Sequence, residues 1–269
     1  MLDWKVFIVC SSKKDINQDY YAKDPTISKK HYTFFNLGKE PFSIDGFEVV
    51  NSSEIPGYIR LGRKYAESEV IYNIKKLNLF SDLSHIGLMH YDFDFFDNTS
   101  LQTNITEFID NSLENGIDFV SFFSGFLGHI IGPYNVLFDK RKPNCLFVRD
   151  SGLEDPVSIN GKIIKDINRI LGVELNLKNY DLYSRIALCC SFLAKKEIFD
   201  KAGELIVDLI DSHCLDGFDV GDKHRFPGQV AERYIAFFSM LYKKMCFMLD
   251  HKFEGGHFDL QNDINAENY

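Results

Sequence analysis

The chain has 269 residues, of which 30 are basic and 39 acidic, so its formal net charge is −9. Hydrophobic residues make up 45% and charged residues 26%, which is ordinary for a globular protein and excludes a disordered chain. An acidic chain without a basic cluster is a poor match for a nucleic-acid-binding protein, because phosphate neutralisation needs grouped Lys and Arg. The six cysteines form no C-x-x-C pair and indicate reduced thiols rather than a zinc site or a disulfide frame.

The apolar runs of the sequence are short and strand-like. They lie well below the roughly 20 residues of a membrane helix, so we expect no membrane span. The first ten residues lack the basic region and long apolar core of a signal peptide and instead predict a first strand. We therefore expect a soluble, cytoplasmic protein made of a single domain, residues 1–269.

In chain order, continuous apolar runs predict strands, and apolar residues spaced by three and four predict helices. The predicted strands cover residues 6–10, 32–37, 46–50, 85–95, 117–123 and 186–193. The predicted helices cover residues 61–77, 105–113, 158–171 and 198–209, and a last one begins near Gly228. Alternating strands and helices predict an α/β fold with a mainly parallel central sheet flanked by helices, and with a more helical C-terminal part. Such sheets bind ligands at the carboxyl ends of their strands.

Residues 85–97, HIGLMHYDFDFFD, are the most informative segment. Because side chains alternate along a strand, Asp92 and Asp94 are expected on one face at the end of a buried strand. Two carboxylates so close repel each other unless a cation lies between them, and hard oxygen ligands suit Mg²⁺ or Mn²⁺. The alternative is a strand that simply reaches solvent, with its acids in turn or cap contacts.

Two enzyme classes place a D-x-D motif at a strand end. Phosphotransferases of the haloacid-dehalogenase type use the first Asp as a nucleophile, but they carry Thr or Val where this chain has Phe96. They also carry the motif near the chain start, whereas here it ends a first half of residues 1–97. Nucleotide-sugar glycosyltransferases place it after a half of about this size and fit better. The phosphotransferase with Asp92 as nucleophile stays open as the alternative.

Four segments between residues 65 and 233 share one further pattern. They are Tyr65-Ala66-Glu67 with Tyr72, Ile86-Gly87-Leu88-Met89-His90-Tyr91, Phe192-Leu193-Ala194-Lys195-Lys196-Glu197-Ile198-Phe199-Asp200, and Gly228-Gln229-Val230-Ala231-Glu232-Arg233. In this order they resemble the GT-A-like glycosyltransferases of capsular and viral polysaccharide synthesis. Asp92-Phe93-Asp94-Phe95 replaces the Arg-Arg-Tyr-Phe of that pattern, so the chain is more similar to small, metal-dependent glycosyltransferases of large algal viruses.

The resemblance implies a GT-A-like fold and a metal-dependent, inverting glycosyltransferase. The enzyme would use Mn²⁺ or Mg²⁺ and move a sugar from a nucleotide sugar, with UDP-sugars favoured, to a hydroxyl of a glycan acceptor. Residues 1–97 would bind the nucleotide sugar, and residues 98–269 would bind the acceptor. Because the similar proteins include viral ones, we also expect that this protein is encoded by a virus and acts in the cytoplasm of a host cell. A non-catalytic carbohydrate-binding module on the same fold is a further alternative.

The D-x-D motif and the resemblance together indicate site residues. Asp92 and Asp94 are the expected metal ligands. Glu232 is the expected general base, because inverting transfer needs one such base opposite the leaving group. A carboxylate stabilised by the N-terminus of the last helix explains Glu232 equally well. If Glu232 is only such a structural carboxylate, the candidates for the general base are the acids of the preceding loop, Asp216, Asp219 and Asp222.

The remaining candidates surround the two substrates. Donor-binding candidates are Ser11, Arg63, Tyr91, Asp92 and Phe93, with Ser12, Lys13, Lys64 and Glu67 nearby. Acceptor-binding candidates are His129 and Tyr134 in the Gly- and aromatic-rich loop of residues 124–135. His257 is a candidate for a late metal ligand. The alternatives are structural: the basic residues are solvated surface cations, Glu67 is a surface carboxylate, and His129 is a structural histidine.

Overall fold

The computed structural model describes residues 3–16, 29–62, 64–65, 67–91, 93–94, 105–127, 130, 156–213, 215, 226–246 and 250–251. Within these residues the strands are β1 Trp4–Cys10, β2 Tyr32–Asn36, β3 Val49–Asn51, β4 His85–His90, β5 Phe93–Asp94, β6 Phe119–Ser121, β7 Ser124–Phe126, β8 Arg185–Ala187, β9 Phe192–Lys195, β10 Lys244–Cys246 and β11 Asp250–His251. The α-helices of the same residues are α1 Glu67–Lys76, α2 Ile105–Glu114, α3 Pro156–Leu171, α4 Lys196–Asp211 and α5 Phe226–Phe238. None of the helices in these ranges is both long and apolar enough to cross a membrane.

Seven of the described strands form one sheet in the order β10-β6-β9-β4-β1-β2-β3. Strand β1 pairs in parallel with β2 and β4, β2 pairs in parallel with β3, and β6 pairs in parallel with β10. Strand β9 differs, since it runs antiparallel between β4 and β6. The predicted α/β fold with a mostly parallel central sheet is therefore confirmed.

Helices cover this sheet on both faces. Val6 and Ile8 of β1 pack in one core with Ile109 of α2. Phe7 and Val9 belong to a second core, to which α1, α3, α4 and α5 contribute. One strand serves both cores because successive side chains of a strand point to opposite faces. Each fully buried side chain of this kind contributes about 1.5–3 kcal/mol to the stability of the fold.

The strand predicted over residues 85–95 is divided in the structure. Strand β4 ends at His90, Tyr91 lies in a turn, and β5 pairs with β11 in a separate two-stranded ladder. Strand β5, which contains Asp94, therefore does not extend the buried strand of the central sheet. The expectation of one continuous strand was wrong because the pairing of residues 93–94 with residues 250–251 joins distant parts of the chain.

The strand predicted over residues 186–193 is also two strands, β8 and β9. The turn between them places Cys189 and Cys190 at φ values of 57° and 47°, in the left-handed region that non-glycine residues seldom adopt. The N–H of Ser191 donates to the carbonyl of Leu188 (3.3 Å) and closes the turn. Both β8 and β9 run antiparallel to the β6–β7 segment, so they share one direction, and the turn is an interruption between them rather than a reversal of the chain.

Candidate functional site

The parallel strands of the central sheet end at one common edge, which we call the carboxyl edge. Strand β1 ends at Cys10, β2 at Asn36 and β4 at His90. The N–H of Leu37 donates to the carbonyl of Cys10 (2.8 Å), so the chain segments after β1 and β2 stay in contact beyond their strands. Ligands of parallel α/β sheets bind at such an edge, and most of the predicted site residues follow one of these strands.

Ser11 lies directly after β1, as predicted. The Asp15 carboxylate accepts hydrogen bonds from Ser11 Oγ (2.7 Å), from the Ser11 N–H (2.9 Å) and from the Ser12 N–H (2.8 Å). Hydrogen bonds to a charged acceptor are stronger than neutral ones and hold this turn in one shape. The place of Ser11 at the carboxyl edge is thus defined, and its donor-binding role stays a prediction.

The segment that precedes α1 is held by residues that the sequence analysis did not single out. Glu69 is buried and accepts hydrogen bonds from the N–H groups of Leu61 (2.8 Å) and Gly62 (2.9 Å). Burial raises the pKa of Glu69, and the two N–H groups act against that rise. Arg60 donates to the carbonyl of Leu37 (2.5 Å) and so ties this segment to the loop after β2. The sequence offers no local signal for these contacts, because they join separate segments.

Glu67 and His90 meet at the end of strand β4. His90 Nε2 lies 3.2 Å from Glu67 Oε1, and both residues are buried. From the sequence, Glu67 is expected either to support the donor site or to lie on the surface, and His90 has no expected role. The structure excludes the surface alternative, since only 9% of Glu67 is exposed. Two of the four motif segments, at residues 65–67 and 86–91, are therefore in contact.

The start of helix α5 joins the same region through Gly228. The Gly228 N–H donates to the carbonyl of Lys64 (2.8 Å), and a Cβ at this position would lie 2.8 Å from that carbonyl oxygen. Only glycine permits this close approach. A third motif segment, Gly228–Arg233, is thereby held against the first.

Glu232 lies on α5 but not where the sequence placed it. Helix α5 begins at Phe226, so Glu232 is in the second turn rather than the first, and it is half-buried. The helix N-terminus acts mainly on charges within the first turn, so it gives Glu232 little stabilisation. The alternative explanation for this carboxylate is weakened accordingly.

The charges of Glu232 and Glu67 both reach the buried thiol of Cys190. Burial raises the pKa of Cys190 well above its ordinary value, and the charges of Glu232 and then Glu67 raise it further. Cys190 lies in the turn between β8 and β9, so this turn, α1 and α5 converge. The structure thus brings Glu67, His90 and Glu232 to one end of the molecule.

Arg233, beside Glu232, is almost fully buried. Its Nη1 donates to Asn160 Oδ1 (3.1 Å) and to the carbonyl of Ile130 (3.3 Å). Burial lowers the pKa of Arg233 to about 10, while the neighbouring charge of Glu232 acts in the opposite direction. Arg233 therefore connects α5 to α3 and to Ile130, which follows the predicted acceptor residue His129 in the sequence.

The D-x-D segment is described only by its backbone at residues 93 and 94. Asp94 pairs in register with Asp250, and Phe93 pairs with His251. Tyr91 is half-buried and lies in the turn directly after β4. Within the described ranges, no group of three or more His, Cys, Asp or Glu side chains is arranged to hold a metal ion.

Several predicted site residues lie outside the described part of the chain. They are Arg63, Asp92, His129, Tyr134, Asp216, Asp219, Asp222 and His257. For Phe93 and Asp94 the description does not extend to the side chain. Lys13 lies in an exposed turn after β1, consistent with a solvated surface cation.

Comparison with solved structures relates this fold to glycosyltransferases. The chain superposes on the WbbM bifunctional glycosyltransferase with a TM-score of 0.53 and 17% identity, over 92% of this chain and 45% of that one. The chain thus spans less than half the length of WbbM, and the likeness shows a shared fold.

A more distant match is the mannosyltransferase Ktr4p from S. cerevisiae, solved in complex with GDP. It gives a TM-score of 0.38 at 14% identity, over 91% of this chain and 69% of that one. A TM-score at this level does not establish a shared fold. No protein-family model and no curated protein sequence matches the chain.

Proposed function

We propose that this protein is a glycosyltransferase that moves a sugar from a nucleotide sugar to a hydroxyl of a glycan acceptor. The observation that carries the proposal is the contact of three motif segments at the carboxyl edge, those of residues 65–67, 86–91 and 228–233. All three belong to the resemblance described above, and the fold beneath them is that of a glycosyltransferase of known structure. Binding sites of α/β proteins form at this edge.

Glu232 is the general base in this proposal. It takes the proton of the acceptor hydroxyl while that oxygen forms a bond to the anomeric carbon of the donor sugar. The bond between that carbon and the diphosphate breaks, and a nucleoside diphosphate leaves. Attack opposite the leaving group inverts the anomeric carbon. The position of Glu232 supports this role, because the residue is only partly buried and the start of its helix contacts Lys64 beside the first motif segment.

Asp92 and Asp94 are proposed to hold a divalent cation, Mn²⁺ or Mg²⁺. The residue in register with Asp94 is Asp250, so the backbone brings together two residues whose carboxylate oxygens are the ligands these cations prefer. When bound, the cation offsets the charge that develops on the departing diphosphate. This donor set fits a cation of that kind.

The proposed donor, substrate-binding residues and place of action are those that the sequence indicates. UDP-sugars are the favoured donors, held by residues 1–97, and residues 98–269 bind the acceptor. The proposed donor contacts are Ser11, Arg63, Tyr91, Asp92 and Phe93, and the proposed acceptor contacts are His129 and Tyr134. The proposed place of action is the cytoplasm.

A thermal-shift screen of nucleotide sugars, with and without Mn²⁺, tests the proposal. A bound donor stabilises the folded state by mass action, by about 2.7 kcal/mol at a hundredfold excess over Kd. We expect one class of nucleotide sugar to raise the melting temperature only when Mn²⁺ is present. The absence of any stabilising nucleotide sugar would contradict the proposal, and a trapped aspartyl-phosphate at Asp92 would favour the phosphotransferase.

A further inference from the structure

Leu182 and Tyr183 are the most exposed large hydrophobic residues in the part of the chain that the structure describes. Their exposed fractions are 55% and 80%. Single exposed apolar residues are ordinary on protein surfaces, whereas a cluster of rings is informative. Phe126 and Arg185 extend this cluster, and we call Phe126, Tyr183 and Arg185 the aromatic platform.

The three side chains of the aromatic platform are held in a defined arrangement. The rings of Tyr183 and Phe126 meet edge to face, with centroids 6.2 Å apart and planes at 81°. The guanidinium carbon of Arg185 lies 4.1 Å from the Phe126 centroid, and these two residues are paired directly across the β7–β8 ladder. Edge-to-face and cation–π contacts of this kind stabilise one relative orientation.

The turn that carries Tyr183 is also fixed. Asp181 Oδ1 accepts hydrogen bonds from the Tyr183 N–H (2.8 Å) and from Ser184 Oγ (3.4 Å), and the Ser184 N–H donates to the Asp181 carbonyl (3.1 Å). A Tyr side chain on a fixed turn loses little conformational entropy when a ligand packs on its ring. The exposed ring is thus preorganised for binding.

The aromatic platform is continuous with the candidate site. Strand β8 runs from Arg185 to Ala187 and leads into the turn that holds Cys190, where the charges of both site glutamates act. Strand β7 leads to Ile130, whose carbonyl accepts a hydrogen bond from Arg233. At roughly 3.3 Å per strand residue, Arg185 lies about 7 Å from the end of β8 that is nearer the site.

We propose that the aromatic platform binds the acceptor glycan, at a sugar unit beyond the one that receives the new bond. The inference rests on the proposed function and deepens it. The exposed face of the Tyr183 ring packs on the C–H face of a sugar, and Arg185 donates hydrogen bonds to its hydroxyls. The flanking charges of Asp181 and Arg185 suit a neutral ligand rich in hydroxyls.

A membrane surface is a poor occupant of the same platform. Helices and segments that bind membrane surfaces combine apolar side chains with many Lys and Arg residues, which attract anionic lipids. The net charge of this chain is −9, which opposes that attraction. The charge of the molecule therefore favours a neutral carbohydrate.

Binding of glycans to Tyr183→Ala and to two companion variants tests the proposal. The wild-type protein is first applied, without donor, to an immobilised array of hexose, pentose and deoxyhexose oligosaccharides, and the strongest binder is then titrated in solution. Tyr183→Ala should weaken its binding about tenfold, while Tyr183→Phe, which keeps the ring, should stay close to wild type. Ile59→Ala is the matched control, since Ile59 is the other exposed large hydrophobic residue of the described ranges, at 43% exposure.

Kinetic measurements separate this inference from the proposed function. Tyr183→Ala should raise KM for an oligosaccharide acceptor and leave kcat, the KM for a monosaccharide acceptor and donor hydrolysis unchanged. The proposal that the aromatic platform binds glycan would be wrong if the wild type binds no oligosaccharide on the array. It would also be wrong if wild type and Tyr183→Ala bind equally well. Either result would hold even if donor turnover is found. The opposite result is also possible: the protein binds a glycan through Tyr183 but turns over no nucleotide sugar. That result would support glycan binding by the aromatic platform and refute the transfer activity.

Discussion

Glu232 is the residue on which the proposed chemistry depends most directly. Glu232→Gln preserves the shape of the side chain and much of its hydrogen bonding but cannot take a proton. We expect kcat to fall by roughly 10²–10⁴-fold, the usual contribution of a positioned base, while donor affinity stays unchanged. Initial rates and a donor titration on the same preparation measure both quantities.

Glu204→Gln is the matched control for this variant, because Glu204 is exposed on α4 and pairs with Lys75 (3.0 Å). It should retain wild-type turnover. If the kcat of Glu232→Gln also stays within a few-fold of wild type, Glu232 is a structural residue. The general base is then one of the acids at positions 216, 219 and 222.

The contact between Glu67 and His90 makes a prediction about stability. Glu67→Ala removes the carboxylate 3.2 Å from the buried His90, whereas Glu67→Gln keeps an oxygen at this position. The loss of a partner of a buried polar group should lower the free energy of unfolding by about 1–3 kcal/mol in the Ala variant and by less in the Gln variant. Urea denaturation measures both values. Equal stabilities of all three proteins would show that the contact does not stabilise the fold.

We expect the stability of the fold to depend on pH through His85, which lies at the opposite end of β4 from His90. Burial, and then the charge of Lys195, lower the pKa of this buried histidine below its ordinary value of 6.5, and Asp118 acts in the opposite direction. A lowered pKa means that the folded state favours the neutral ring. Its contribution to stability is therefore complete above the unfolded pKa and is lost as the pH falls through the folded pKa.

His85→Gln removes this titration, so we expect a flatter stability profile than wild type between about pH 7 and pH 5. Urea denaturation at a series of pH values measures the two profiles. Parallel profiles would mean that other groups cause the loss of stability in acid.

At the residue scale, the sequence indicates candidate residues but not the contacts they make. The D-x-D pair is informative in the sequence because it follows an apolar run, and Glu232 is informative because it lies in the Gly228–Arg233 segment of the resemblance. The partner of His90 could not be selected, because Glu67 is separated from it by a helix and a loop. The metal-binding role of Asp92 and Asp94 stays a prediction.

At the scale of elements, strands β4 and β9 approach unusually closely at Gly87. A Cβ at this position would lie 2.6 Å from the carbonyl oxygen of Phe192 and 2.9 Å from Leu193 Cα. Both obstacles are backbone atoms of the antiparallel neighbour and cannot move independently of the sheet. This contact gives a physical reason for the glycine in the Ile86-Gly87-Leu88 motif.

Gly87→Ala should lower the free energy of unfolding by about 1–3 kcal/mol, the usual cost of overpacking in a core. Gly161→Ala is the control, because Gly161 lies within α3 and a Cβ there meets no atom within 4 Å. It should raise stability by about 0.5–1 kcal/mol, since alanine loses less backbone entropy than glycine in a helix. Chemical denaturation distinguishes the two, and a stable Gly87→Ala would show that the strands can separate without cost.

The helices were more predictable than the strands for a physical reason. The apolar periodicity of a helix is contained in its own sequence, and the predicted helices over residues 105–113 and 158–171 match α2 and α3 closely. A strand is defined by its partners. Neither the turn at Cys189 and Cys190 nor the pairing of β5 with β11 leaves a local pattern that shows where a strand ends.

At the scale of the whole molecule, the arrangement of the sheet explains why motifs far apart in sequence lie close together. Helix α1 follows β3, the His90 motif ends β4, and α5 comes after the antiparallel β9, yet all three meet at the carboxyl edge. The sequence predicted a mainly parallel sheet but not the antiparallel insertion of β9 between β4 and β6. Apolar runs identify strands without giving their direction, so this feature depends on long-range pairing.

The central claim is metal-dependent transfer from a nucleotide sugar, and release of the nucleoside diphosphate tests it most directly. The measurement compares wild type with the double variant Asp92→Asn and Asp94→Asn, with and without Mn²⁺, and uses the exposed Asp45→Asn as control. We predict release by wild type and Asp45→Asn only with Mn²⁺ and none by the double variant, which should melt at or above the wild-type temperature because a repelling pair is relieved. Mn²⁺-dependent release that persists in the double variant would contradict the account.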